Sequence, residues 1–160
     1  MYEVIVAAVD GSAGGYAALA RAAELARCFQ ARLIALSVEE GLPRYAATIG
    51  EVDDWKQRKD RYFAEVRAEA KRIAAEHRIS LQHHIGIGHA ADVIVRFVDE
   101  VGADLVVLGY KGHSRIAQFV IGTTAQKVNA YAHASVLIVK PTTGAEGVWD
   151  RIVGFPGGRD

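Results

Sequence analysis

The sequence has little cysteine, no excess of charge of either sign and no long apolar run. Its one cysteine, Cys28, cannot form an internal disulfide, which excludes a disulfide framework and a cysteine-rich metal site. The 19 basic side chains are balanced by 19 acidic ones and lie beside them in most segments, which argues against a nucleic-acid surface. No apolar run approaches the roughly 20 residues of a membrane span. We therefore expect a protein of a reducing compartment, the cytoplasm, with no membrane or nucleic-acid partner.

The composition is typical of one globular domain. Hydrophobic residues make up 51% of the 160 positions and charged residues 24%, so the chain can bury a sizeable core. It enters the apolar run Val4-Ile5-Val6 without a basic leader or a cleavage site, and we expect no signal peptide. We predict a single domain over residues 1–141. The remaining residues, 142–160, form a tail that is extended or docks on a partner.

Four short apolar runs predict strands that are covered on both faces. They consist almost entirely of Val, Ile, Leu and Ala and do not alternate with polar residues, as is usual in parallel sheets. A fifth strand, Leu81 to Ile85, contains Gln82, His83 and His84, so it suits a sheet edge better than the centre. The four apolar runs are Val4 to Val9, Leu33 to Val38, Leu105 to Leu108 and Val136 to Val139.

The segments between these strands have the periodicity of amphipathic helices. The longest predicted helix runs from about Val52 to His77 after a loop at Gly41 to Gly50, and the last runs from about Thr123 to His133. Strict alternation of strands and helices with right-handed crossovers predicts a three-layer α/β sandwich. The predicted apolar stripe of the long helix comprises Trp55, Tyr62, Val66, Ala70 and Ile73.

Two loops that follow strands are candidates for a ligand site, because open α/β sheets bind ligands beyond the carboxyl ends of their strands. One is Asp10 to Gly15, and the other runs from Gly109 to Arg115 and ends at Gly122-Thr123-Thr124. Glycines allow backbone amides to approach a ligand, and the free amides that open the last helix favour an anion, so phosphate is the obvious ligand type. Basic side chains near this second loop are Lys111, His113 and Arg115.

Asp10 has two interpretations. A carboxylate at the end of a central strand accepts hydrogen bonds from hydroxyls or an amine and repels phosphate, so it would face the sugar or base end of a nucleotide. Alternatively, Asp10 only shapes the turn and Ser12 caps the following helix. The residues alone leave both open.

Three familiar phosphate motifs do not fit. The run Gly86 to Ala91 has the glycine pattern of a dinucleotide site, but it follows the third strand and no acid ends the next one. A P-loop needs Gly-Lys-Ser/Thr, whereas the second loop reads Gly112-His113-Ser114. A phosphoacceptor receiver domain needs an acidic pair after the first strand, where Asp10 stands alone.

Metal and thiol sites are also disfavoured. His83 and His84 are neighbours on a strand, so their side chains point to opposite faces and cannot chelate one ion, even with His89 nearby. We expect Cys28 to be a small packed side chain rather than a catalytic thiol.

These residues resemble the universal stress proteins, whose nucleotide-binding members carry G-x2-G-x9-G-[ST] after the fourth strand. The motif residues here are Gly109, Gly112, Gly122 and Thr123. The resemblance covers residues 1 to 141, and Ala125 departs from the hydroxyl residue that the family often has at that position. The other similar stretches are Val6 to Ser12, Gly102 to Gly109 and His133 to Val139.

The resemblance implies a five-stranded parallel sheet in the order 3-2-1-4-5, of the adenine-nucleotide alpha-hydrolase-like type. It also implies an adenine nucleotide, ATP, ADP or AMP, whose phosphates can carry Mg or Mn. Family members commonly form homodimers through the last strand, which implies an interface at Val136, Leu137, Ile138 and Val139. The implied nucleotide-binding residues are Ala8, Val9, Asp10, Val38, Leu108, Gly109, Lys111, Gly112, His113, Gly122, Thr123 and Thr124.

Three functions remain open at this point. The first is a stress-response module that binds the nucleotide and changes its interactions with an unknown protein partner, with no catalytic residue. The second is a slow metal-dependent ATP hydrolase that uses Asp10 with Lys111, His113 and Arg115. The third is a dimeric scaffold of the same fold that binds no nucleotide.

Overall fold

The computed structural model describes residues 1–41, 48–110 and 121–140. Within them, five strands alternate with four helices. All strand pairs are parallel and the sheet order is β3-β2-β1-β4-β5, which confirms the predicted fold. The strands are β1 Val4–Ala8, β2 Arg32–Glu39, β3 Leu81–Ile87, β4 Leu105–Gly109 and β5 Ser135–Val139. The helices are α1 Ala13–Phe29, α2 Ile49–Glu76, α3 Ala90–Glu100 and α4 Thr123–Tyr131.

The long helix begins earlier than its apolar stripe predicts. Thr48 accepts a hydrogen bond from the Glu51 N–H, and the Glu51 carboxylate accepts one from the Thr48 N–H, so a capping box starts α2 at Ile49 rather than Val52. The predicted loop, Gly41 to Gly50, therefore ends before Ile49 rather than at Gly50. At the other end of the chain, α4 ends at Tyr131 and not at His133.

The sheet separates two apolar cores. One lies between the sheet and helices α1 and α2, and the other lies between the sheet and helices α3 and α4. Residues of β1 alternate between them: Ile5 and Ala7 belong to the first core and Val6 to the second, and all three are fully buried. The central strands are therefore covered on both faces, as their continuous apolar sequence indicates.

Asp104 aligns the starts of the two central strands. Its carboxylate accepts hydrogen bonds from the backbone N–H of Glu3 (2.8 Å) and of Val4 (2.9 Å). These backbone donors hold the pKa of Asp104 below its ordinary value. With their starts held in register, β1 and β4 also end side by side, at the edge where the two predicted ligand loops begin.

Two side-chain expectations on the helices were wrong. Cys28 is exposed, because it lies beside the exposed Arg27 on the outer face of α1 rather than on the stripe that meets the sheet. On α2 the buried aromatic residue is Phe63, whereas the neighbouring Tyr62 is 38% exposed. No helix in residues 1–41, 48–110 and 121–140 is both long and apolar enough to cross a membrane.

Candidate functional site

A cavity of about 660 Å³ lies at the carboxyl ends of the central strands. This volume is in the range of small-molecule sites. It is lined by every predicted nucleotide-binding residue that the structure describes, so the cavity brings these residues together. They are Ala8, Val9, Asp10, Val38, Leu108, Gly109, Gly122, Thr123 and Thr124. Three other predicted residues, Lys111, Gly112 and His113, lie outside the described residues.

The sequence interpretation missed most of the opposite wall. Trp55, Lys59, Tyr62 and Phe63 line the cavity from α2, because this helix extends along the ends of β1 and β2. The sequence predicts Trp55 and Tyr62 only as part of the apolar stripe of α2. The remaining lining residues are Gly15, Leu36, Glu39, Glu40, Ala90, Ile94 and Ala125.

The first turn of α4 lies at the cavity and has no side-chain cap. The residue that precedes the helix is Gly122, which has no side chain and makes no capping hydrogen bond, and the first turn contains no acid. The first amides of a helix have no partner within the helix and carry partial positive charge. Gly122, Thr123 and Thr124 all line the cavity at this point, so this end of the site suits an anion.

The first turn of α1, by contrast, is capped by its own loop. Ser12 accepts a hydrogen bond from the Gly15 N–H at 3.0 Å, and its own N–H donates to Asp10 Oδ1 at 3.0 Å. The Ser12 hydroxyl also donates to the same carboxylate oxygen. Asp10 therefore shapes the turn, as one interpretation expects, and it lines the cavity as well. Of these two helix ends, α4 is the one without a side-chain cap.

Two contacts attach α2 to the strand ends. The Tyr62 hydroxyl donates to the backbone carbonyl of Asp10, and Lys59 forms an ion pair with Glu39 at the end of β2. Burial, with the nearby Asp10 charge, raises the pKa of the Tyr62 phenol, so the hydroxyl remains a donor at neutral pH. The Lys59 amine also lies 3.8 Å from the centre of the Trp55 ring. These contacts hold the aromatic wall against the cavity.

The charges of the described lining residues are unevenly distributed. Asp10, Glu39 and Glu40 lie at the ends of β1 and β2, where Lys59 is the basic lining residue. Near the start of α4 the described lining residues, Gly122 to Ala125, include no carboxylate. An anionic group is thus favoured at the α4 end and disfavoured at the β2 end.

The histidines of β3 point to opposite faces, as predicted. His83 contacts Ser37 and Arg67 on the side of α2, whereas the His84 ring contacts Phe97 of α3. In residues 1–41, 48–110 and 121–140 no group of three or more His, Cys, Asp or Glu side chains is placed to hold a metal ion.

The cavity and fold can be compared with known proteins. Residues 1–140 match the model of the universal stress protein family. A universal stress protein from Thermus aquaticus is 32% identical over 143 residues, which cover 88% of this chain and 100% of the relative. The crystal structure of a universal stress protein in complex with cAMP is 26% identical, with a TM-score of 0.69 over 86% of this chain and 97% of that one. A universal stress protein from Archaeoglobus fulgidus in complex with dAMP shares the fold at 23% identity, with a TM-score of 0.60 over 88% and 98% of the two chains. The family match over residues 1–140 shows that this chain belongs to the universal stress protein family.

Proposed function

We propose that the cavity binds an adenine nucleotide, ATP, ADP or AMP, with its phosphates at the start of α4. The observation that carries the proposal is the first turn of α4, which has no side-chain cap and opens into an otherwise largely apolar cavity. A phosphate would accept hydrogen bonds from these amides. The related structure that contains cAMP supports the same class of ligand. A Mg²⁺ or Mn²⁺ ion would enter on the phosphates.

The other end of the nucleotide would face β2 and α2. The carboxylates at the ends of β1 and β2 repel phosphate but accept hydrogen bonds from ribose hydroxyls or an exocyclic amine. Leu36, Ile94 and the Trp55 ring provide apolar surface for a base in the same part of the cavity. This distribution favours a purine at the end of the sheet, between Trp55 of α2 and the apolar residues Leu36 and Ile94 on the side of α3.

We further propose that the protein holds the nucleotide as a regulatory module of the stress response in the cytoplasm. Hydrolysis at a useful rate requires a base or a water-orienting group beside the transferred phosphate. Asp10 is the acid that lines the cavity from β1, and its Oδ1 already accepts two hydrogen bonds from Ser12. Among the described residues, no acid lines the cavity at the α4 end.

Tryptophan fluorescence tests nucleotide binding directly. The chain has two tryptophans, so Trp149→Phe leaves Trp55, which lines the cavity, as the sole tryptophan, and excitation at about 295 nm selects it over the tyrosines. Titration of this variant with ATP should change the emission of Trp55 in a saturable way. Adenosine, which lacks the phosphates, should bind about a hundredfold more weakly, since it loses one or two hydrogen bonds to a charged group.

Two further measurements separate the alternative functions. Mass spectrometry of the denatured, freshly purified protein should find an adenine nucleotide in near-stoichiometric amount. No nucleotide there and no ATP-dependent fluorescence change would instead indicate a scaffold. Steady-state turnover of ATP with Mg²⁺ or Mn²⁺ at about 1 per second or faster, lost in Asp10→Ala, would overturn the binding module in favour of a hydrolase.

We also propose that β5 pairs with β5 of a second copy. In the part of the chain that the structure describes, β5 pairs only with β4, and its residues Val136 to Val139 are apolar and half-buried. Such an edge is an aggregation hazard unless it is covered. Ser135 donates its N–H to Asp104, and Val139 accepts one from Tyr110, so these residues bond toward β4. Because the pattern alternates, the Ile138 N–H points away from β4.

Ile138→Pro should therefore convert the dimer to a monomer. Proline removes the outward N–H of this residue but no hydrogen bond to β4. Sedimentation velocity would report the mass, and Ile138→Ala, which shortens the side chain but keeps the N–H, should remain dimeric. A wild-type protein that is monomeric at micromolar concentration would contradict the proposed dimer.

A further inference from the structure

Ser37 is a buried polar residue in the wall beside the cavity. It is 1% exposed and lies in β2 between Leu36 and Val38, which both line the cavity. Its hydroxyl lies 2.8 Å from the carbonyl oxygen of Val9 and 2.9 Å from Nε2 of His83. Val9 directly precedes Asp10, beyond the last residue of β1. A side-chain hydroxyl thus contacts the last carbonyl before the ligand loop.

The donors in this chain of contacts fix the form of His83. A serine hydroxyl has one hydrogen, and the Val9 carbonyl can only accept, so Ser37 donates to Val9. Nε2 of His83 must then carry a hydrogen and donate to Ser37. Arg67 donates its Nε–H to Nδ1 of His83 at 3.3 Å, so Nδ1 must be unprotonated. Both contacts are satisfied only by neutral His83 with its hydrogen on Nε2.

The surroundings of His83 oppose a second proton. The charged or titratable groups that act on it are Arg67 and Lys71 of α2 and His84 of β3, and all of these act as positive charges, while β2 presents the neutral Ser37. Burial and these charges lower the pKa of His83 from its ordinary value of 6.5. A proton on Nδ1 would replace the hydrogen bond from Arg67 with two like charges in contact. The same helix carries Tyr62, which bonds to the backbone carbonyl of Asp10.

We propose that His83 is a positioning residue for the nucleotide site: in its neutral form it connects α2 and β2 to the end of β1, and it thereby fixes the loop that carries Asp10. This inference rests on the proposed nucleotide binding for its effect on affinity. His83 lies on the face of the sheet opposite to α3 and is not itself among the residues that line the cavity.

The pH dependence of ATP affinity tests this role. In the wild type, affinity should fall as the pH is lowered below 6.5, by about fivefold once His83 is protonated, which is the effect expected for one lost hydrogen bond. His83→Gln should bind as the wild type does at pH 8, because the glutamine amide can donate to Ser37 and accept from Arg67. Glutamine does not titrate, whereas ATP titrates in the same way in both experiments. The ratio of wild-type to His83→Gln affinity at each pH therefore reports the titration of His83 alone.

Two variants complete the comparison. Ser37→Ala breaks the link to Val9 and should weaken ATP binding about fivefold even at pH 8. His84→Gln removes one of the charges that lower the pKa of His83, so affinity should still fall at low pH, with the fall moved to higher pH. If His83→Gln follows the same pH profile as the wild type, the positioning role is wrong, whereas nucleotide binding stands.

A measurement without ligand tests the same link independently. In the ¹⁵N-labelled protein, the backbone amide of Asp10 should shift together with the His83 ring signals between pH 8 and 5, with a midpoint below 6.5. This shift should be lost in Ser37→Ala, in which His83 still titrates, and in His83→Gln. If the chemical shift of the Asp10 amide does not change as His83 titrates, the inference is wrong. Failure of ATP to bind at any pH would overturn the proposed function, and the amide shifts would still decide the role of His83.

Discussion

Gly122→Val should weaken ATP binding by at least about a hundredfold, the equivalent of one or two hydrogen bonds to a charged phosphate. Gly122 precedes α4 and lines the cavity, so a branched side chain there would occupy the space in which phosphate meets the backbone amides. Its φ of −55° and ψ of 144° are open to any residue, so the substitution should leave the fold intact. Isothermal titration calorimetry measures the affinity, and thermal unfolding checks that the variant is folded.

Gly41→Val is the matched control for this change. It adds the same side chain at a glycine that does not line the cavity and where a Cβ would meet nothing within 4 Å. We expect its affinity for ATP to equal that of the wild type. Unchanged affinity in Gly122→Val itself would show that the phosphates do not lie at the start of α4.

Gly109→Ala should lower the free energy of unfolding by about 3 kcal/mol, at the upper end of the usual cost of overpacking. A Cβ at Gly109 would lie 2.7 Å from both the carbonyl carbon and the carbonyl oxygen of Gly14. These are backbone atoms at the start of α1, so they cannot move aside as a flexible side chain could. The alanine side chain can therefore fit only if α1 shifts away from β4, and this shift accounts for the lost stability.

Urea denaturation, with a matched glycine as control, measures this cost. Gly50 lies in the first turn of α2, where a Cβ would meet nothing within 4 Å. Gly50→Ala should leave the stability unchanged or raise it by up to about 1 kcal/mol, because alanine favours helix over glycine. A Gly109→Ala variant within about 0.5 kcal/mol of the wild type would show that α1 and β4 tolerate a wider separation than their packing indicates.

The sequence predicted the parts of the site that depend on strand order. The ends of parallel strands meet at one edge, so Asp10, Gly109 and Gly122 could be assigned to one site from their positions after strands and before a helix. The strand order itself came from the resemblance to the family. Both interpretations of Asp10 proved compatible, because one carboxylate shapes its turn and still lines the cavity.

The wall formed by α2 could not be predicted in the same way. Whether its residues line the cavity depends on how α2 is rotated about its axis and how far it extends past the strand ends. Both are determined by the packing of the helix on the sheet. Periodicity alone did not separate Tyr62 from Phe63, one step apart on the helix, and the ion pair of Lys59 with Glu39 joins residues 20 positions apart. The link from His83 through Ser37 to Val9 likewise depends on strand register.

The absence of a side-chain cap on α4 has a thermodynamic consequence beyond affinity. A ligand that supplied the missing acceptors would bind only the folded chain, and at a concentration of 100 times its Kd it would add about 2.7 kcal/mol to stability. α4 is nine residues long and is followed within four residues by the edge strand β5. The cellular nucleotide concentration would then determine how stably β5, the edge strand proposed to pair with a second copy, is held in the sheet. Through α4, nucleotide binding would thus be coupled to self-association.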